Sequence, residues 1–131
     1  MSNLDTVKEI YAAFGRGDVA AIIDRLAEDV EWETQTPVDG VPWLEPRRGK
    51  ANIAGFFEAL APLQITRFEP HAFFESGDKV FVLIALEATR GGKSYSIPNN
   101  GHLWQFNPAG EVVRYDHVTD TATHWRMAHG M

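Results

Sequence analysis

The dipeptide Gly17-Asp18 divides two short amphipathic segments, and the chain then runs into a strand. The stretch reads Ile10-Tyr11-Ala12-Ala13-Phe14-Gly15-Arg16-Gly17-Asp18, then Val19 to Leu26, then Asp29-Val30-Glu31-Trp32. Leu4, Val7, Tyr11 and Phe14 recur at helical spacing, as do Val19, Ile22, Ile23 and Leu26. Gly17 suits the left-handed turn that closes one helix, and Asp18 suits the cap that opens the next. Two amphipathic helices joined this tightly must bury their apolar stripes on something, and the strands downstream supply it.

A third helix is expected over about Lys50 to Leu60, where Ile53, Phe56, Phe57 and Leu60 form an i, i+3, i+4, i+7 stripe and Pro62 follows. The segment from Pro37 to Pro46 before it is too rich in proline for a helix or central strand. It carries Trp43, which reads as an exposed residue on a loop lying over an opening. Strands are expected near Ile65 to Glu75, Lys79 to Thr89, Ser94 to Phe106 and Glu111 to Asp120. The second is apolar on both faces (Val80, Phe81, Val82, Leu83, Ile84, Leu86), so it is expected to be covered by the core on one side and by a second subunit on the other. Three helices, an early strand and a long meander predict an α+β fold: a strongly curved antiparallel sheet against the helices. The 131 residues make one domain, 1–131. The tail Thr121 to Met127 is too short to be assigned as a helix by itself, and Trp125 and Met127 suggest that it docks on a cavity mouth or a partner.

A formal charge of −6, with Arg47-Arg48 the one adjacent basic pair, argues against a nucleic-acid partner. No apolar run approaches a membrane span, and no signal peptide is expected from the opening residues. The absence of cysteine excludes disulfides, thiolate metal sites and thiol nucleophiles, and agrees with a cytoplasmic location.

The last hairpin carries the chemistry. Along its final strand Val112, Arg114, Asp116, Val118 and Asp120 share one face, and Val113, Tyr115, His117 and Thr119 share the other. The charged set belongs outside, which turns Tyr115 and His117 inward. If Pro108-Ala109 are the central residues of a type I turn, Asn100 faces His117, His102 faces Tyr115 and Trp104 faces Val113. A bulge at Gly110 would move this register by one and exchange His117 for Asp116. An inward His102 beside Tyr115 can protonate a carbonyl or take a proton from the adjacent carbon; a core histidine satisfied by Asn100 or Tyr115 is the competing reading. A two-histidine metal site would need a further carboxylate on that face, and none is apparent. No cofactor is expected.

The order of elements, the Gly17-Asp18 hairpin, Gly49, Phe56-Phe57 and the Phe106-Asn107-Pro108-Ala109-Gly110-Glu111-Val112-Val113 hairpin resemble the NTF2-like superfamily, which includes ketosteroid isomerase, SnoaL-type polyketide cyclases and limonene epoxide hydrolase. The resemblance implies a cone-shaped half-barrel whose helices close a deep pocket, commonly in homodimers. The isomerase tyrosine falls at Ile10, with Tyr11 about 100° away around the helix. Its basic aspartate falls at Thr34 and its second acid at His102, so steroid isomerisation by that route is not expected. The cyclase branch fits better, with a histidine matching His102 and an acid at or beside His117, Asp116 being the register-shifted candidate. The epoxide hydrolase set of inward Asp, Arg and Asp cannot be assembled.

The expected function is binding of a small apolar or carbonyl-bearing ligand by a homodimer, with isomerase, cyclase or dehydratase chemistry at His102, His117 or Asp116. Tyr11, Trp32, Thr34, Trp43, Phe57, Asn100, Trp104 and Tyr115 are the candidate ligand contacts. A binding module without turnover and a protein-interaction module remain open beside it.

Overall fold

The computed structural model describes residues 1–131. Helix α1 (Asn3–Gly15) opens with a capping box in which Ser2 and Asp5 bond each other's backbone, and it buries Val7, Ile10 and Ala13. Gly17 takes φ 72°, and the Asp18 side chain accepts from Ala21 N at 3.1 Å to start α2 (Val19–Ile23), so the helical hairpin forms as read. Strand β1 (Leu26–Trp32) follows, then a 3-10 turn at Pro42–Leu44 and a two-residue strand β2 (Arg47–Arg48). The expected third helix is divided into a 3-10 turn at Lys50–Asn52 and α3 (Ala54–Ala59). Strands β3 (Gln64–Ser76), β4 (Lys79–Arg90), β5 (Lys93–Phe106) and β6 (Val112–Val118) form the meander, and α4 (Thr121–His129) ends it.

The sheet order is β2-β1-β6-β5-β4-β3. One pair departs from the expected antiparallel arrangement: β1 lies parallel to β6. Hairpins impose antiparallel pairing on β3 to β6, whereas β1 reaches β6 from the other end of the chain and is free of that constraint. Bulges at Thr66 and His71 in β3, and the extra residue of β5 near Pro98, bend the sheet around α1. The sheet is strongly curved and does not close into a barrel.

Two bulges set the register of the last hairpin. Asn107 O accepts from Gly110 N at 3.0 Å, so Pro108 and Ala109 are the central turn residues. Gly110 (φ 84°) is then an extra residue, and Asn107 pairs with Glu111. Val113 is a second extra residue, because Phe106 opposes Val112 and Gln105 opposes Arg114. One bulge would have inverted the strand; two restore its faces. Tyr115 and His117 point inward as expected, but each partner moves by two residues, so His102 opposes His117 and Trp104 opposes Tyr115.

The C-terminal tail is a fourth helix beyond the three expected. Asp120 caps it by accepting from Thr123 N at 3.0 Å, and Gly130 ends it at φ 65°. Arg90 donates to the carbonyls of Met127 (2.9 Å) and Ala128 (2.6 Å). Those tertiary partners stabilise a helix too short to stand alone.

Candidate functional site

Between the concave face of the sheet and α1 to α4 lies a cavity of about 60 Å³ lined by 20 residues, 16 of them hydrophobic. Its rim is apolar and half-buried: Phe14, Phe57, Leu60, Leu63, Ile65 and Phe68. Asn100, His102, His117 and His124, all buried, are the four lining residues that are not hydrophobic, and the hydroxyls of Tyr11 and Tyr115 and the indole nitrogens add further polar atoms.

Two hydrogen-bonded assemblies meet there. The first runs along β5. Trp43 Nε1 donates to His124 Nδ1 (2.9 Å), and His124 Nε2 donates to Asn100 Oδ1 (2.9 Å). Thr119 Oγ1 also donates to Asn100 Oδ1, at 2.6 Å. Asn100 Nδ2 donates to His102 Nε2 at 3.3 Å, which leaves the ring hydrogen of neutral His102 on Nδ1, 2.8 Å from the Tyr11 hydroxyl oxygen. That oxygen also accepts from Trp104 Nε1 at 2.9 Å. With two donors on its oxygen, Tyr11 keeps its own hydroxyl hydrogen unclaimed.

The second assembly joins β6 to the end of β1. Glu33 is fully buried and stands at φ 61°, a backbone region that costs a non-glycine residue on the order of 1–3 kcal/mol. Glu33 N donates to Tyr115 O at 2.7 Å, and one carboxylate oxygen accepts from His117 N at 2.7 Å. The other carboxylate oxygen meets His117 Nδ1. The carboxylate thus holds the ring hydrogen on Nδ1 and leaves Nε2 as the basic nitrogen, 3.4 Å from the Tyr115 hydroxyl. At that distance the tyrosine holds Nε2 only weakly.

Burial separates the protonation states. It holds His102 well below the ordinary histidine range, and the neighbouring His117 and His124 add to the effect. His124 is lowered to about 3, by burial first and His117 second. Burial raises Tyr11, against an opposing contribution from the Trp104 donor. Burial, then the Glu33 charge, raises Tyr115. Both phenols therefore remain protonated donors. Trp32 Nε1, also buried in the lining residue Trp32, has no hydrogen-bond partner. It is an unused donor of the kind a ligand acceptor would satisfy.

Of the residues singled out from sequence, Tyr11, Trp32, Trp43, Phe57 and Asn100 line the cavity, as do His102, Trp104, Tyr115 and His117. Three readings are corrected. Trp43 is 2% exposed and forms part of the wall, because the proline-rich loop folds inward and its indole is claimed by His124. Thr34 does not reach the cavity; its hydroxyl lies 3.5 Å from Glu31 Oε1, since the left-handed turn at Glu33 takes the chain out of the strand. Asp116 lies on the opposite face of β6, where Oδ1 accepts from Gln35 N at 3.0 Å and Oδ2 is unpartnered. Its carboxyl is raised, first by burial. Although the isomerase-type tyrosine position is filled by Ile10, the adjacent Tyr11 supplies a hydroxyl to the cavity. Glu33 and His124 were not singled out as site residues. Strand alternation turns Glu33 outward on paper, and His124 enters only through a helix that tertiary contacts create. No three His, Asp or Glu side chains converge as a metal-ligand set.

The model of the SnoaL-like domain matches residues 7–131. An NTF2-like protein of unknown function from Burkholderia pseudomallei is 30% identical over 98% of each chain, with a TM-score of 0.82. TerC, co-crystallized with polyporic acid, is 24% identical over 97% of this chain and 98% of its own, with a TM-score of 0.79. A provisionally assigned polyketide cyclase from Pseudomonas putida is 21% identical over 97% of this chain and 98% of its own, with a TM-score of 0.77. A search of curated proteins finds no match to the chain.

Proposed function

The chain belongs to the SnoaL-like family of the NTF2-like fold, and from that premise we propose that its cavity binds a small, largely apolar carbonyl compound and moves a proton on it without a cofactor. The reaction would be of isomerase, cyclase or dehydratase type. The observation that carries this reading is the pairing of Glu33 with His117 in a cavity that also holds the unclaimed hydrogen of Tyr11. His117 Nε2 takes a proton from the carbon beside the carbonyl, and the Glu33 carboxylate stabilises the imidazolium that forms. Tyr11 donates to the carbonyl oxygen as negative charge gathers on it. His117 then returns the proton to another carbon or to a leaving group. His102, expected from sequence to be the proton carrier, has both ring nitrogens engaged and is assigned instead to orienting Tyr11.

The test is proton exchange. Cyclohexenone and other small enolisable ketones, incubated with the protein in D2O, should take up deuterium beside the carbonyl by NMR, and His117→Gln should abolish the uptake. Binding of a ketone with no exchange would overturn the catalytic step. It would favour a second reading, ligand binding without turnover, which the internally saturated Asn100–His102–His124 chain supports.

The same reading takes the protein as a homodimer formed through the outer face of the sheet. There Phe74 and Val118 are 55% and 51% exposed, in the same cross-strand rows as Phe81, Leu83 and Leu103. Sedimentation as a stable monomer at micromolar concentration would overturn it.

A further inference from the structure

We propose that Trp43 is a positioning residue: its indole N–H sets the direction of the buried hydrogen-bond chain through His124, Asn100 and His102, and so leaves the Tyr11 hydroxyl hydrogen free for a ligand. This inference rests on the reading of Tyr11 as the donor to a bound carbonyl.

The chain has five links: Trp43 to His124, His124 to Asn100, Asn100 to His102, His102 to Tyr11, and Tyr11 to Trp104. Each link needs one hydrogen. An indole nitrogen can only donate, so both ends of the chain point inward from Trp43 and Trp104. A neutral imidazole has one donor and one acceptor nitrogen, and an amide presents its oxygen on one side and its NH2 on the other. Once Trp43 donates to His124 Nδ1, the hydrogen of that ring must sit on Nε2. It then faces the amide oxygen of Asn100, which turns the NH2 toward His102 Nε2. The hydrogen of His102 is thereby placed on Nδ1, facing Tyr11. Trp43, His124, Asn100, His102 and Trp104 supply all five hydrogens, and the hydroxyl hydrogen of Tyr11 is left over.

Thr119 does not fix the direction, because a hydroxyl turns to donate or accept. The lowered protonation of His124 and His102 agrees with each ring carrying a single hydrogen. If the Trp43 donor is removed, the chain can run backwards. Tyr11 then donates to His102 Nδ1, the hydrogen of His102 moves to Nε2, the Asn100 amide turns over, and the hydrogen of His124 moves to Nδ1. Without Trp43 the two directions close the same four links, and each leaves one hydrogen unbonded, that of Tyr11 in the forward direction and that of His124 Nδ1 in the reverse, so the bias that keeps the Tyr11 hydrogen free is gone. Trp43 supplies that bias from the far end of the chain.

The tautomers of the two histidines report the direction. In the full-length protein labelled with 15N-histidine, ring-nitrogen shifts should show His102 protonated on Nδ1 and His124 on Nε2. Trp43→Phe should bring in the exchanged assignments, His102 on Nε2 and His124 on Nδ1, beside the original ones. His102 protonated on Nε2 in the unsubstituted protein would overturn the proposal outright, as would a folded Trp43→Phe protein with His102 unchanged. Should Trp43→Phe fail to fold, His124→Leu severs the same chain and should likewise bring the His102 hydrogen onto Nε2 in part of the population; complete retention on Nδ1 would overturn the role of Trp43. No ligand enters this measurement. Failure of ketone exchange would remove the catalytic reading and leave the tautomers as stated, whereas a wrong tautomer removes this inference and leaves the Glu33–His117 pair untouched.

Discussion

His102 and His117 face each other across adjacent strands with ring centroids 4.6 Å apart, yet their surroundings assign them different work. His117 leans on a carboxylate, so a positive charge on its ring has a partner at once. His102 leans on an amide and a phenol, neither of which is charged, and burial beside two other imidazoles disfavours a second proton on it. Proximity to a cavity does not make a histidine a base; the group on its far nitrogen does.

The sharpest way to break that contrast is to remove the carboxylate. Glu33→Gln or His117→Gln should lower ketone proton exchange by ~10²–10⁴-fold, while His102→Gln should lower it less; equal losses by NMR would erase the distinction. Next in size, Tyr11→Phe should cost ~10²–10³-fold in exchange as a lost donor to the carbonyl oxygen. It should also leave the indole of Trp104 and the imidazole of His102 without an acceptor, at about 1–3 kcal/mol each in urea unfolding.

The neutral wall predicts a pH dependence. His102 and His124 have folded-state affinities for protons below the unfolded histidine value of 6.5, so the unfolded chain binds more protons as pH falls. Their contribution to stability is fully present above about 6.5 and is lost as pH falls toward 3, with a slope of up to about 1.4 kcal/mol per pH unit for each ring. Urea midpoints measured over that range should fall, and His124→Leu should flatten the curve; an unchanged slope would show that His124 is charged in the fold. The smallest effect belongs to Asp116→Asn, which should change exchange by less than about threefold. A large loss there would place the proton chemistry on the wrong face of β6.

Periodicity and turn chemistry made most of the scaffold legible: the helical hairpin at Gly17, the four long strands, and an inward set of Asn100, His102, Trp104, Tyr115 and His117. Those features follow from local rules that act over a few residues. What escaped was nonlocal. Glu33 breaks strand alternation through a left-handed backbone that its carboxylate partners on β6 hold in place. Trp43 and His124 depend on each other across 81 residues, so neither segment alone shows that it folds inward. The hairpin offered the right faces through a register wrong by two, because the expected pairing contained neither bulge: the glycine marks the one at Gly110, which taken alone would invert the strand, and the one at Val113 carries no such mark.

That pair of bulges has a consequence for divergence among chains of this kind. Face parity along β6 is held by two extra residues that cancel, so loss of a single residue between Gly110 and Val113 would turn the strand over. Arg114 and Asp116 would then point where Tyr115 and His117 now stand, converting an imidazole-lined cavity into one furnished with a carboxylate and a guanidinium. One small deletion in this hairpin, with no substitution anywhere, would exchange the chemical repertoire of the cavity while the scaffold around it stayed in place.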